Sequence, residues 1–205
     1  MKQPKRSRKT LMNVILIIGI LLLAAAVCLF AWTRIQEARY DSRSKAILSA
    51  LDKAIPKTGV KMTAADMAKT EADESETSGD DGELMTMIQI KGSSCVGRLS
   101  VPALHRSWPV GSVYGNLKEM PCRSTGTPDR NHFRIRGLKG SYHFSELARL
   151  TPGNKVRFTD VSGITYCYKV VNIIESSDFS RDQSDLMLYY RTRGDDRMMI
   201  CCDFE

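Results

Sequence analysis

Apolar and polar positions divide the chain into four stretches. Residues 11–32 form an unbroken apolar run in which Asn13 is the one strongly polar member. About 20 such residues span a bilayer as a helix, the form that satisfies its own backbone polar groups in hydrocarbon. Over residues 33–55, Ala46, Leu48, Leu51 and Ile55 recur near helical spacing among charged residues. That spacing predicts an amphipathic helix ending before Pro56. Residues 57–83 hold Glu71, Asp73, Glu74, Glu76, Asp80, Asp81 and Glu83 and almost no large apolar side chains. Such a stretch cannot bury enough surface to offset chain entropy and reads as a flexible acidic linker. From residue 84 the period changes. Strands are expected at 85–90, 96–102, 132–138, 155–160, 164–174 and 197–202, with Gly and Pro turns between them and one short helix at 145–150. Short strands so punctuated predict a mostly β domain, a barrel or a sandwich.

Charge sharpens the N-terminal reading. Lys2, Lys5, Arg6, Arg8 and Lys9 flank the apolar run, and residues 10–32 carry no charge. Positive flanks stay cytoplasmic, so residues 1–10 are expected inside, 11–32 across the membrane and 33–205 outside. A cleaved signal peptide would have a shorter apolar core followed directly by its cleavage site. Here Ala24–Ala26 lead into further apolar sequence, which favours an uncleaved single-pass anchor. The chain is +7 overall, but the five basic residues before the run leave only +2 for residues 33–205. A near-neutral body gives no footing for nucleic-acid binding. The 42% apolar and 26% charged content is ordinary for a globular chain and rules out wholesale disorder.

Six cysteines are present, Cys28 in the apolar run and Cys95, Cys122, Cys167, Cys201 and Cys202 beyond it, with no CxxC pair. Neither a zinc ribbon nor a thioredoxin motif is supported, and no metal or cofactor is expected. Spacing alone gives no disulfide pairing. Adjacent Cys201 and Cys202 on one strand would face opposite sides of the sheet.

The β region also carries a series of short words. G-R-L-S-V-P-A-L at 97–104 and W-P-V at 108–110 resemble the opening of a sortase domain. L-K-E-M-P-C-R-S-T-G at 117–126 is similar to a segment of Gram-positive sortases. N-H-F-R-I-R-G-L-K-G-S-Y-H-F-S-E-L at 131–147 aligns without gaps on that family's N-x-x-V-I-A-G-H-N-Y-x-x-H-F-G-x-L. Residues 150–160, 166–171 and 198–205 continue the series, the last resembling the class B form T-L-x-T-C-D-Y-E. The resemblance covers about 120 residues in the family's order. It implies a sortase-like β-barrel over 84–205, closed or partly open, with one or two short helices, behind a transmembrane helix, a juxtamembrane helix (33–56) and the linker (57–83). It also implies a cysteine transpeptidase of the cell surface. A thiolate attacks a sorting-signal peptide, an acid protonates the leaving amine, and a cation steadies the oxyanion. In the family these are a Cys, a His and an Arg.

Position by position, the cysteine falls on Cys202 and the histidine on Leu138, which cannot move a proton. The family's arginine belongs to a strand after the cysteine, and that strand is expected to be absent, leaving an exposed edge. His143 and Arg136 are the candidate substitutes. His132 is too far along its strand, and His105 reads as a surface residue. Losing members of such a trio costs orders of magnitude in rate. The expectation is therefore a degenerate, binding or regulatory sortase-like protein whose partner is a sorting-signal peptide, a surface protein or an active sortase. The alternatives are an enzyme using Cys202 with unusual helpers, and a truncated fragment.

Overall fold

The computed structural model describes residues 6–64, 66, 85–130, 132–140, 143–178 and 183–205. Most of the acidic stretch expected as a linker, 65 and 67–83, lies outside them. The described chain divides between Arg39 and Tyr40 into two compact units. The N-terminal unit is helical and carries the apolar run. The helix α1, Arg6–Ala54, is long and apolar enough to cross a membrane, with a mean hydropathy of 3.2 over its best 18-residue window. Residues 33–54 continue α1 and do not form a separate helix.

The second unit, Tyr40–Glu205, is mostly β. Its strands are β1 (Lys61–Met62), β2 (Ile88–Ile90), β3 (Ser93–Val101), β4 (Arg106–Gly111), β5 (Cys122–Thr125), β6 (Phe133–Gly137), β7 (Lys155–Asp160), β8 (Thr165–Ser176), β9 (Leu186–Arg191) and β10 (Arg197–Phe204). Eight of them close on themselves in the order β8, β10, β9, β6, β5, β4, β3, β7 and back to β8. Each barrel strand therefore has two neighbours. The unpaired edge expected beside Cys202 does not exist, because β10 is bonded to β8 on one side and β9 on the other.

Two short strands attach outside the ring. β2 joins β3 through a two-residue hairpin, Lys91 at φ 51° and Gly92 at φ 80°, the positive pair that a type I′ turn requires. β1 runs parallel to β8, and the Thr58 hydroxyl donates to the Gly163 carbonyl at 2.7 Å. The first residues of the expected linker thus lie along the barrel.

Strand alternation sorts the side chains. Leu99, Val101, Phe133, Ile135, Phe158, Tyr168, Leu188 and Ile200 fill the interior. Phe133 meets Phe158 edge-on at 4.9 Å, and Trp108 meets Phe144 at 5.6 Å. The Tyr168 hydroxyl, deep in this core, donates to the Pro128 carbonyl. A second apolar cluster lies on the outer face. There Ile47 and Leu51, four apart on α1, cover Ile90, Cys95, Met120 and Cys122. The buried helical stripe runs through Ser44, Ile47 and Leu51, one residue off the face expected through Ala46 and Leu48. Ion pairs Arg98–Asp52 and Arg43–Glu119 flank it.

Four strands escape the sequence reading: the two-residue β1, which falls in the expected linker, and β4, β5 and β9. β4 contains Pro109 and β5 is four residues long, so neither shows a full alternating run. β9 reads L-M-L-Y-Y-R, nearly apolar throughout, because Met187 and Tyr189 lie in a further apolar patch with Met199 and Cys201. The expected helix at 145–150 is a 3-10 turn, Ser145–Arg149.

Gly97 is where β7 approaches β3. A Cβ there would stand 2.3 Å from the Thr159 carbonyl oxygen and 2.6 Å from Phe158 Cζ. Because one obstacle is backbone, Gly97→Ala is expected to lower stability by about 1–3 kcal/mol. The check is a lower urea midpoint at unchanged slope.

Candidate functional site

Cys202 is on β10 with its side chain in the barrel interior, 0% exposed, among Phe133, Ile135, Leu186 and Ile200. Its Sγ lies 3.9 Å from the Ile200 carbonyl oxygen. Cys201 points to the outer face but is also buried, packed with Met187 and Met199. The opposite facing expected of the pair holds, and all six cysteines are free thiols.

Register places Cys202 far from the position expected to carry the imidazole. Cys202 pairs with Leu186 of β9, and Leu186 pairs with Phe133 at the start of β6. Leu138 follows the other end of β6, where Gly137 pairs with Tyr190 and Tyr190 with Met198. Two strand spacings and five residues of rise separate Cys202 from Leu138 by roughly 19 Å. The Cys202 thiol is therefore sealed in the barrel and lies well away from the groups at the Leu138 end.

What gathers at the Leu138 end is different. Arg191 pairs with Arg197 across β9 and β10, and Arg136 is exposed on β6 two residues before Leu138. By alternation all of these belong to the outer face. The cysteine nearest this end is Cys122 on β5, which pairs with Arg136. It is fully buried beneath α1, and that burial pushes its thiol up to about 12, against a smaller downward pull from Arg136. A protonated, covered thiol is no nucleophile at neutral pH.

His143 does approach Leu138, but as a brace. Its Nδ1 accepts the Leu138 backbone N–H at 3.3 Å, and it also hydrogen-bonds the Lys118 backbone, so it faces the 116–120 turn and not β9. With Nδ1 accepting, the neutral ring carries its proton on Nε2. Burial, at 1% exposure, pulls its pKa down to about 4, only partly offset by the bond to Lys118. His132 sits just before β6 at φ 73°, exposed, with Nδ1 3.2 Å from the Arg134 guanidinium. His105 is exposed, as expected, and ends a 3-10 turn at Pro102–Leu104.

No family model matches the chain, and no curated protein matches it. Solved structures do. Sortase A from Corynebacterium diphtheriae superposes with a TM-score of 0.50 at 17% identity, covering 55% of this chain and 61% of that one. Sortase C1 from Streptococcus agalactiae gives 0.51 at 18% identity, covering 70% and 77%. The fold is that of the sortases. The chain spans less than two thirds of the Corynebacterium protein.

β10, which carries the word at 198–205, closes the ring against β8. The sequence reading did not single out β9 or the start of β10, although the run at 186–190 followed by Gly194 at φ 60° signals a strand and a turn that lead into a final strand.

His143 folds neutral, with a pKa below its unfolded value of about 6.5. Its contribution is intact above pH 6.5 and is lost as pH falls from 6.5 towards 4, by up to about 3 kcal/mol. Thermal unfolding at pH 7 and pH 5 is expected to show a smaller drop in His143→Gln than in the parent chain.

Proposed function

We propose that this chain is a membrane-anchored sortase-family protein that binds a surface-protein peptide, or an active sortase, without catalysing transpeptidation. The observation that carries the reading is the absence, among the described residues, of any accessible thiol where β6, β9 and β10 come together. The family's order of strands puts β9 in the cysteine's place and β10 in the arginine's. On that register the nucleophile slot falls at Tyr190–Arg191, the arginine slot at Arg197 and the histidine slot at Leu138. The arginine is retained and the two groups that make and break the thioester are replaced.

Arg191 and Arg197 lie directly opposite one another across β9 and β10. With Arg136 on the same face they favour a peptide carrying a carboxylate. The basic residues before the apolar run orient the second unit to the outside of the cell, where cell-wall and pilus proteins are handled. The family resemblance supplies the Gram-positive setting.

Incubation of the purified chain with sorting-signal peptides, followed by intact mass measurement, is expected to show no acyl adduct on any cysteine. A thioester on Cys202 would overturn the proposal. Binding of an acidic fluorescent peptide is expected to weaken at least about tenfold in Arg191→Glu, equivalent to about 1.4 kcal/mol.

A further inference from the structure

Beneath α1, three sulfur atoms converge that the proposed peptide site does not use. Cys95 on β3 pairs with Gly111 on β4, and Gly111 pairs with Cys122 on β5. Two cysteines therefore flank a glycine on three successive strands, all facing outward under the helix. Gly111 leaves the space between them open. A Cβ there would stand 3.1 Å from Cys122 Sγ and 3.3 Å from Met120 Sδ. Cys95 Sγ lies 4.0 Å from Met120 Sδ. Cys95, Met120 and Cys122 are each 0% exposed, and Ile47 and Leu51 close the cluster from above.

A disulfide does not fit this arrangement. Two strand spacings hold the cysteine Cα atoms about 9–10 Å apart, and a disulfide needs them within about 7 Å. A metal ion does not require that approach.

We propose that Cys95, Cys122 and Met120 form a three-coordinate site for copper(I). Two thiolates and a thioether are the soft donor set that this ion prefers. Metal–sulfur bonds of about 2.3 Å in a trigonal plane put the sulfurs about 4.0 Å apart, which the Cys95–Met120 edge already matches. Zinc calls for a fourth ligand, and among the described residues no His, Cys, Asp or Glu group of three or more converges anywhere.

The charges balance as follows. Each cysteine loses its thiol proton to solvent as its Cu–S bond forms, the thioether donates a lone pair, and copper stays +1. The filled site carries one net negative charge, and Arg136, paired across from Cys122, lies beside it. Glu119, also near, is held by Arg43 at 3.2 Å. Uptake therefore releases two protons. The ion ties β3, β5 and the turn between β4 and β5 together under α1.

The test uses the full chain in detergent, reduced and free of oxygen, with copper(I) supplied from a chromophoric chelator. One equivalent is expected to bind, with a first shell of sulfur alone by X-ray absorption and a raised unfolding temperature. Met120→Leu, close in volume, is expected to weaken binding at least tenfold, and Cys95→Ala at least a hundredfold. Cys201→Ala is expected to bind as the parent does. Unchanged affinity in a folded Met120→Leu and Cys95→Ala, loss of the equivalent in Cys201→Ala, a shell containing nitrogen or oxygen, or no uptake by the folded parent would each sink the site.

Discussion

Closure of the β ring is the constraint on which everything else in this structure depends. β7 bridges β3 and β8, and β10 bridges β8 and β9, so every barrel strand is hydrogen-bonded to two others. An unpaired edge would be a template for pairing with other chains. Closure also defines an inside and an outside. Once those exist, alternation along each strand assigns every side chain to one or the other, and a one-residue change of register would exchange them. The burial of Cys202 and the exposure of Arg136 both follow from that rule.

The chemistry of the cleft is governed by the same ladder. Sortase catalysis needs a thiol, an imidazole and a guanidinium within reach of one carbonyl. Here the antiparallel pairing of β9 and β10 carries Cys202 to the Phe133 end of β6, while Leu138 lies at the other end. The imidazole nearest Leu138 is committed to accepting the Leu138 backbone N–H in a dry pocket. Guanidinium groups remain at the Leu138 end, on the outer surface.

The outer face has a second use. α1 continues past the apolar run and lays Ile47 and Leu51 over β3, β5 and the turn before β5. That contact covers two thiols and a thioether that would otherwise meet solvent. Burying them raises the thiol pKa values and makes them inert towards peptides. The same dryness suits a soft cation, whose competitors are water and oxygen donors.

Much of the architecture was legible in the chain. The apolar run of residues 11–32, the change to period two after residue 84, and the words at 97–104 and 131–147 state a helix long and apolar enough to cross a membrane, and a barrel, without further help. They do so because burial against lipid and burial inside a ring each impose a local period on the sequence. β9 was not legible, since a strand apolar on both faces has no alternation to read. Nor was the position of Cys202 deep in the barrel at the Phe133 end of β6, because which strands lie beside its own is decided by the closure of the ring. The cluster of Cys95, Met120 and Cys122 was invisible for the same physical reason. Its members meet only across strands, through hydrogen-bond registers that no spacing along the chain encodes.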